Sequence, residues 1–246
     1  MKWVSIYIFL AVMFFPYGAG AQSCNSASDC NLKGTKLYEQ GKIVKAIALF
    51  EKQADFATGK DDEKNLRTAL NNLALANLKI GNVLFANAWI QEAKERYADD
   101  KATLFNYELI EKKLKTTEMP SSITGTYSRY AGYGRWSTLE ITESKKGKVS
   151  INLYIERYGL VESAEESGPA AYWKLSANGS LDVDKLTIKY EGEGKTKCEI
   201  AMKWEDIRIV APDQNLPEQC QLGGYNTYVD GTYWRTSTQK PRLGGK

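Results

Sequence analysis

The sequence predicts an α+β protein in two parts: helical hairpins over about residues 25–118, then an antiparallel β-barrel-like meander of about eight strands over residues 121–238. Three observations carry this. Across residues 68–93 (TALNNLALANLKIGNVLFANAWIQEA), apolar side chains recur at the three-and-four spacing of a helix face, with a break at Gly81. Near residues 116–122 (TTEMPSS), helix formers give way to Tyr, Thr, Ile, Val, Trp and Gly. Finally, the first and last predicted strands carry the same phrase, Gly125-Thr126-Tyr127-Ser128-Arg129 and Gly231-Thr232-Tyr233-Trp234-Arg235.

Residues 1–21 read as a signal peptide. Lys2 supplies a positive start, and the apolar run that follows is too short to span a bilayer. Pro16 breaks that run, and Ala19-Gly20-Ala21 matches an A-x-A cleavage site. Cleavage after Ala21 predicts an exported chain, periplasmic or secreted. Ala21-Gln22-Ser23 fits the lead-in to a lipidated cysteine poorly, so lipid anchoring at Cys24 is not expected. The four cysteines predict two local disulfides, Cys24 with Cys30 and Cys198 with Cys220. The first is expected to pin the N-terminal arm to the opening helix, the second to tie two neighbouring strands.

A formal charge of +3, with no Arg-rich stripe, gives no case for nucleic acid. No second long apolar run follows the leader, so the mature chain is expected to be soluble, without a transmembrane span. Histidine is absent, which excludes Ser-His-Asp and Cys-His catalysis and His-ligated zinc. No cofactor or metal is expected. The carboxylates Glu140, Glu143, Glu156, Glu162, Glu165 and Glu166 have no spacing that sets two of them across a cleft, so no enzyme is expected.

In the helical half, Leu70, Leu73, Ala74 and Leu78 form one stripe. Gly81 ends that helix, Asn82 is expected to cap the next, and Phe85, Ala86, Trp89, Ile90 and Ala93 repeat the stripe. Asn106 and Leu109 stand one period of about 34 residues after Asn72 and Leu75. Gly41 stands one period plus six before Gly81, and the extra six predict a longer loop at residues 58–63 (TGKDDE), with Asp61-Asp62-Glu63 capping the following helix. Gly34, Gly41, Ala46 and Phe50, then Ala74, Gly81, Ala86 and Ile90, occupy matching small and large positions. This pattern resembles the tetratricopeptide repeat, departing from it at Asn77, at Gln53 and in lacking a closing proline. The resemblance implies protein binding without chemistry, in a groove lined by Asn31, Thr35 and Tyr38, then Asn71, Leu75 and Leu78, then Phe105, Leu109 and Lys112. In that groove the Asn71 amide is expected to hold a partner's backbone.

Strands are predicted at residues 126–130, 136–142, 149–156, 171–175, 181–183, 186–190, 197–204 (continuing through 207–210) and 227–235. Turns are predicted at residues 145–148, at Asn178-Gly179 and at residues 192–194. Short connections exclude parallel crossovers, and matching end strands suit a closed barrel. The meander, the late cysteine pair and the phrase C-x-L-G-G-Y-N-T-Y-V-D-G-T-Y from Cys220 to Tyr233 resemble calycin-type barrels, most of all the lysozyme-inhibitor-like domains of bacterial envelope proteins. No match to those inhibitors' Ser-Gly-rich plugging loop is present. Tyr127, Tyr130, Tyr133 and Trp136, interleaved with Arg129 and Arg135, form a candidate ligand-facing barrel rim. Residues 239–246 read as a flexible tail. Together these readings predict an exported, non-catalytic protein-binding protein. An inhibitor or immunity protein acting on an envelope hydrolase or secreted toxin is the alternative, and a small-molecule or lipid carrier using the barrel interior is a second.

Overall fold

The computed structural model describes residues 23–145, 147–157, 171–213, 216–220 and 229–239. The leader and its cleavage site, Glu162, Glu165 and Glu166, most of the phrase after Cys220 and nearly all of the tail lie outside these residues. Five α-helices come first: α1 (Ala27–Glu39), α2 (Ile43–Gly59), α3 (Glu63–Lys79), α4 (Val83–Arg96) and α5 (Lys101–Leu114). Eight strands follow: β1 (Gly125–Gly132), β2 (Arg135–Lys145), β3 (Lys148–Arg157), β4 (Ala171–Asp182), β5 (Lys185–Glu191), β6 (Lys197–Glu205), β7 (Arg208–Ala211) and β8 (Gly231–Ser237). They pair antiparallel in chain order and close as a barrel through β1 and β8.

The first three helix junctions share one turn. Gly41 and Gly81 adopt left-handed φ of 73° and 81°, and Asp61 takes the equivalent place at 52°. In each, the next amide reaches back to close the turn: Lys42 N–H to Leu37 O, Asp62 N–H to Ala57 O and Asn82 N–H to Asn77 O, all at 2.8–2.9 Å. The six extra residues therefore do not make a longer loop. They lengthen α2 and α3 to 17 residues each, and residues 60–62 turn as tightly as the other junctions. Asp62 caps α3 by accepting from Asn65 N–H, as its position predicts. Asn82 occupies the cap position of α4 but makes no capping bond; its amide donates to Asn77 Oδ1 instead. Gly34 is required by space, since a Cβ there would stand 2.6 Å from the Phe50 ring.

The barrel keeps the expected strand number through two compensating differences. The expected turn at Asn178-Gly179 lies inside β4, merging two predicted strands. Gly179 is needed there because a Cβ would stand 2.6 Å from Thr187 O and 2.9 Å from Ile151 Cδ1. The reversal falls instead at Val183, with φ of 56°. Conversely, the long strand expected through residues 197–210 folds back at Asp206, φ 45°, into β6 and β7.

Closure uses the repeated phrase. Pairing Tyr127 with Arg235 and Ser128 with Trp234 runs the two copies antiparallel, so each copy's arginine meets the other's tyrosine. Arg235 lies 5.0 Å over the Tyr127 ring and Arg129 5.3 Å over Tyr233. Arg235 is fully buried, and donates to Ser122 O at 2.7 Å and to the Tyr127 hydroxyl. Burial pushes the Tyr127 phenol up to about 12, against the pull of that guanidinium.

Both predicted disulfides form. Cys24–Cys30 joins the arm to α1. Cys198–Cys220 does not tie two neighbouring strands: it fastens β6 to a short 3-10 turn, Glu218–Cys220. The two parts have separate cores, one among the helices and one inside the barrel. Inside the barrel Leu139, Ile141, Ile151, Leu153, Ile188 and Ile200 are almost wholly buried. Among the described residues, no helix is long and apolar enough to cross a membrane.

Candidate functional site

The helical stack has two unlike faces. On one, α2 and α4 meet the barrel at β1 and β8. Here Trp89 of α4, fully buried, stands 4.6 Å edge-on to Trp136 and 5.7 Å from Tyr130, with Phe85 5.4 Å from Trp136. Tyr130 and Trp136 therefore pack against the helical core, and Trp136 also lines a cleft with Tyr133 and Arg135. Burial pushes the Tyr130 phenol up to about 12, although its oxygen accepts from Gly134 N–H at 3.1 Å.

The other face is built by α1, α3 and α5. Asn72 donates to Asn31 Oδ1 at 2.9 Å, joining α3 to α1. Asn71 donates to Thr103 Oγ1 at 2.9 Å and accepts from Asn106 at 2.7 Å, joining α3 to α5. The Asn71 amide is thus spent within the fold, and a second bond to Arg67 O at 3.0 Å uses its remaining N–H. The expectation that it holds a partner's backbone is corrected on this geometry. Asparagine suits the ladder, because its amide both donates and accepts across a close helix contact.

These bonds fix which side chains share the outer surface. On α3, the half-buried Leu75 lies one turn beyond Asn71 and Asn72. On α5, Phe105 and Leu109 flank Asn106 and are 68 % and 43 % exposed. On α1, Leu32 beside Asn31 is 71 % exposed, and Thr35 is exposed as well. Lys112 extends the surface along α5. Tyr38 and Leu78 contribute less, being half-buried against the helical core. Of the nine groove residues, then, Leu75, Phe105, Leu109, Thr35 and Lys112 lie together on an uncovered face. Asn31 and Asn71 hold that face together from within. The three helices carry eight Lys and Arg against five Asp and Glu, whereas α2 and α4 carry four of each. These three helices are therefore the more basic ones of the stack, although Lys33 and Arg67 are paired with Asp29 and Asp100.

A second concavity lies at the seam between α2 and the β1–β2 hairpin. It measures about 460 Å³ and brings together Glu51, Asp55, Tyr133, Arg135, Trp136 and Glu156 among its lining. Two of these sit on α2, a helix that the sequence reading left without functional residues. In α4, Ala86–Ile90 are five consecutive buried residues, more than one helix face can hold, because the barrel covers the far side. Glu140 accepts from Asn152, and Glu143 from Ser122, on the barrel wall. Among the described residues, no group of three or more Cys, Asp or Glu could hold a metal ion.

The class these observations define is an α+β protein in which helical hairpins are backed by a closed eight-stranded antiparallel barrel. No known protein family, characterised protein or solved structure matches the chain significantly.

Proposed function

We propose that the chain is an exported, non-catalytic protein-binding protein of tetratricopeptide-like type, with the surface of α1, α3 and α5 as its docking face. The carrying observation is the direction in which the barrel packs. It covers α2 and α4, and leaves Leu32, Phe105 and Leu109 exposed on the opposite face. The shared turn at Gly41, Asp61 and Gly81 supports the repeat reading. The two disulfides support folding in an oxidising compartment. The occupant is a segment of a partner protein that presents apolar side chains among acidic ones, since the face exposes Leu32, Phe105 and Leu109 and the helices that build it carry more Lys and Arg than Asp and Glu.

Replacing Phe105 and Leu109 by glutamate tests this. Both side chains are exposed, so thermal stability is expected to stay within about 0.5 kcal/mol of the parent. Partner capture, read by quantitative mass spectrometry against the parent protein, is expected to fall tenfold or more. Capture at parental level by the doubly substituted protein counts against the face. Leu75→Glu is expected to act in the same direction.

A further inference from the structure

The arrangement of the docking face bears on how the partner segment lies across it, an inference that rests on the function proposed above. The chain reverses at each short junction, so α1, α3 and α5 run in one direction. Asparagine bonds hold them level, Asn31 with Asn72 and Asn71 with Asn106. Measured from these bonds, Leu32, Leu75 and Leu109 stand within about 5 Å along the helix axes, at about 1.5 Å per residue. Leu32 and Leu109 are exposed, and Leu75 is half-buried. The three leucines therefore form one row across the helices, and Phe105 widens it on α5.

Each helix takes the same step past this row. One turn on from Leu32, Leu75 and Leu109 stand Lys36, Lys79 and Lys113, with Lys112 beside the last. All four lysines are exposed, and none has an ion pair among the described residues. They lie in the last turns of their helices, where they also face the negative end of the dipole. Of the acidic residues on these helices, Glu39 and Glu111 stand on this flank, and Glu111 is held by Lys115 at 3.2 Å. The apolar row is thus bordered on one side by a basic one.

An occupant lying along α3 would meet Lys64, Thr68, Leu75 and Lys79 in turn, with one apolar side chain among them. An occupant crossing the helices meets an apolar side chain on each. Neighbouring helices pack about 8–10 Å apart. A polyproline-II segment has three residues per turn and rises about 3.1 Å per residue, so every third side chain returns to one side after about 9.3 Å. A crossing helix is about 10–12 Å wide, more than a row about 5.4 Å high. We propose that the face binds an extended, polyproline-II-like segment of a partner protein that crosses α1, α3 and α5. Every third residue of the segment is apolar and lies over the leucine row, and acidic residues between them lie over the lysines.

The test titrates labelled peptides against the full chain. One is Leu-Glu-Pro repeated three times and closed by leucine, with blocked ends. The second has the same composition with its leucines adjacent, and the third is a Glu- and Ala-rich helix with leucine at every seventh position. The repeat peptide is expected to bind saturably, about tenfold or more tightly than either of the others, and to weaken as salt rises. Replacing Lys36, Lys79, Lys112 and Lys113 together by glutamine is expected to weaken it by about tenfold, and the melting temperature of that variant reads the lysines' part in the helix ends separately. Equal binding of the rearranged peptide, tighter binding of the helical one, unchanged affinity in the lysine variant, or no saturable binding of the repeat peptide overturns the inference. The capture experiment with Phe105 and Leu109 judges the docking face independently. A failed repeat peptide, with capture still dependent on those two residues, removes the crossing segment and leaves the face.

Discussion

The covered and uncovered faces of the helical stack are made of the same helices but held by different physics. Toward the barrel, α4 presents Phe85 and Trp89 to Tyr130 and Trp136, and the contact is an aromatic cluster. Away from it, α1, α3 and α5 are joined by asparagine amides, with leucines and Phe105 left in solvent. Apolar burial is strong and non-directional, so the aromatic face fastens the barrel to the stack. Amide ladders are directional and contribute about 1 kcal/mol per bond, so the other face is kept in register without being closed.

Perturbing the covered face is expected to have the largest effect. Trp89→Ala removes the ring on which Phe85, Tyr130 and Trp136 converge, and is expected to cost about 3–5 kcal/mol in urea unfolding. It is also expected to expose Trp136, seen as a red shift in its fluorescence. A loss below about 1 kcal/mol would make the aromatic cluster incidental to stability.

Next comes the barrel's own closure. Arg235→Ala strands the Tyr127 hydroxyl and Ser122 O without their donor, and is expected to cost about 3 kcal/mol by thermal unfolding. Lysine at this position is expected to recover only part of that loss, because it cannot fork between the two acceptors.

On the uncovered face, Asn71→Ala breaks bonds to both Thr103 and Asn106. It is expected to cost about 2 kcal/mol and to raise amide exchange in α5. This separates a ladder residue from a contact residue: Phe105 and Leu109 substitutions are expected to spare stability where Asn71→Ala does not.

The smallest effect concerns Glu51. A carboxyl whose folded value lies above its unfolded one favours the fold while protonated. That contribution is complete below about pH 4 and is lost as pH rises through the raised value. Glu51→Gln is therefore expected to match the parent near pH 4 and to exceed it in melting temperature at pH 7. Arg135, the one charge drawing Glu51 down, reduces the gain without reversing it.

The repeated phrase at Gly125 and Gly231 was the most informative feature of the sequence for the barrel, since pairing its two copies predicts closure and the structure adds the crossed Arg–Tyr contacts. Strand boundaries were less legible: Asn178-Gly179 has turn chemistry, and only the close approach of Thr187 O and Ile151 explains glycine within a strand. Residues 58–63 read as a loop because their polar character hid a third tight turn with Asp61 in the glycine position. Groove residues came from the resemblance to the repeat family, yet that match alone does not separate Asn71, which bonds inward, from Phe105, which faces out. Tyr130 and Trp136 were singled out by residue type, and their role in joining the two parts depends on α4, far away in sequence. Glu51 had no sequence signal of its own, because a lone glutamate on a helix reads as solvated surface until a neighbouring turn covers it.

The most direct measurement places a photo-crosslinking residue at position 105, on the uncovered face, and separately at position 183, where Val183 is 87 % exposed on the barrel. Both positions are apolar and accessible, so they differ in which surface they report. In the source cell's envelope, position 105 is expected to give a discrete adduct whose linked peptide is acidic with apolar anchors, while position 183 gives none. Equal adducts at both positions, or an adduct at position 183 alone, would contradict the docking face.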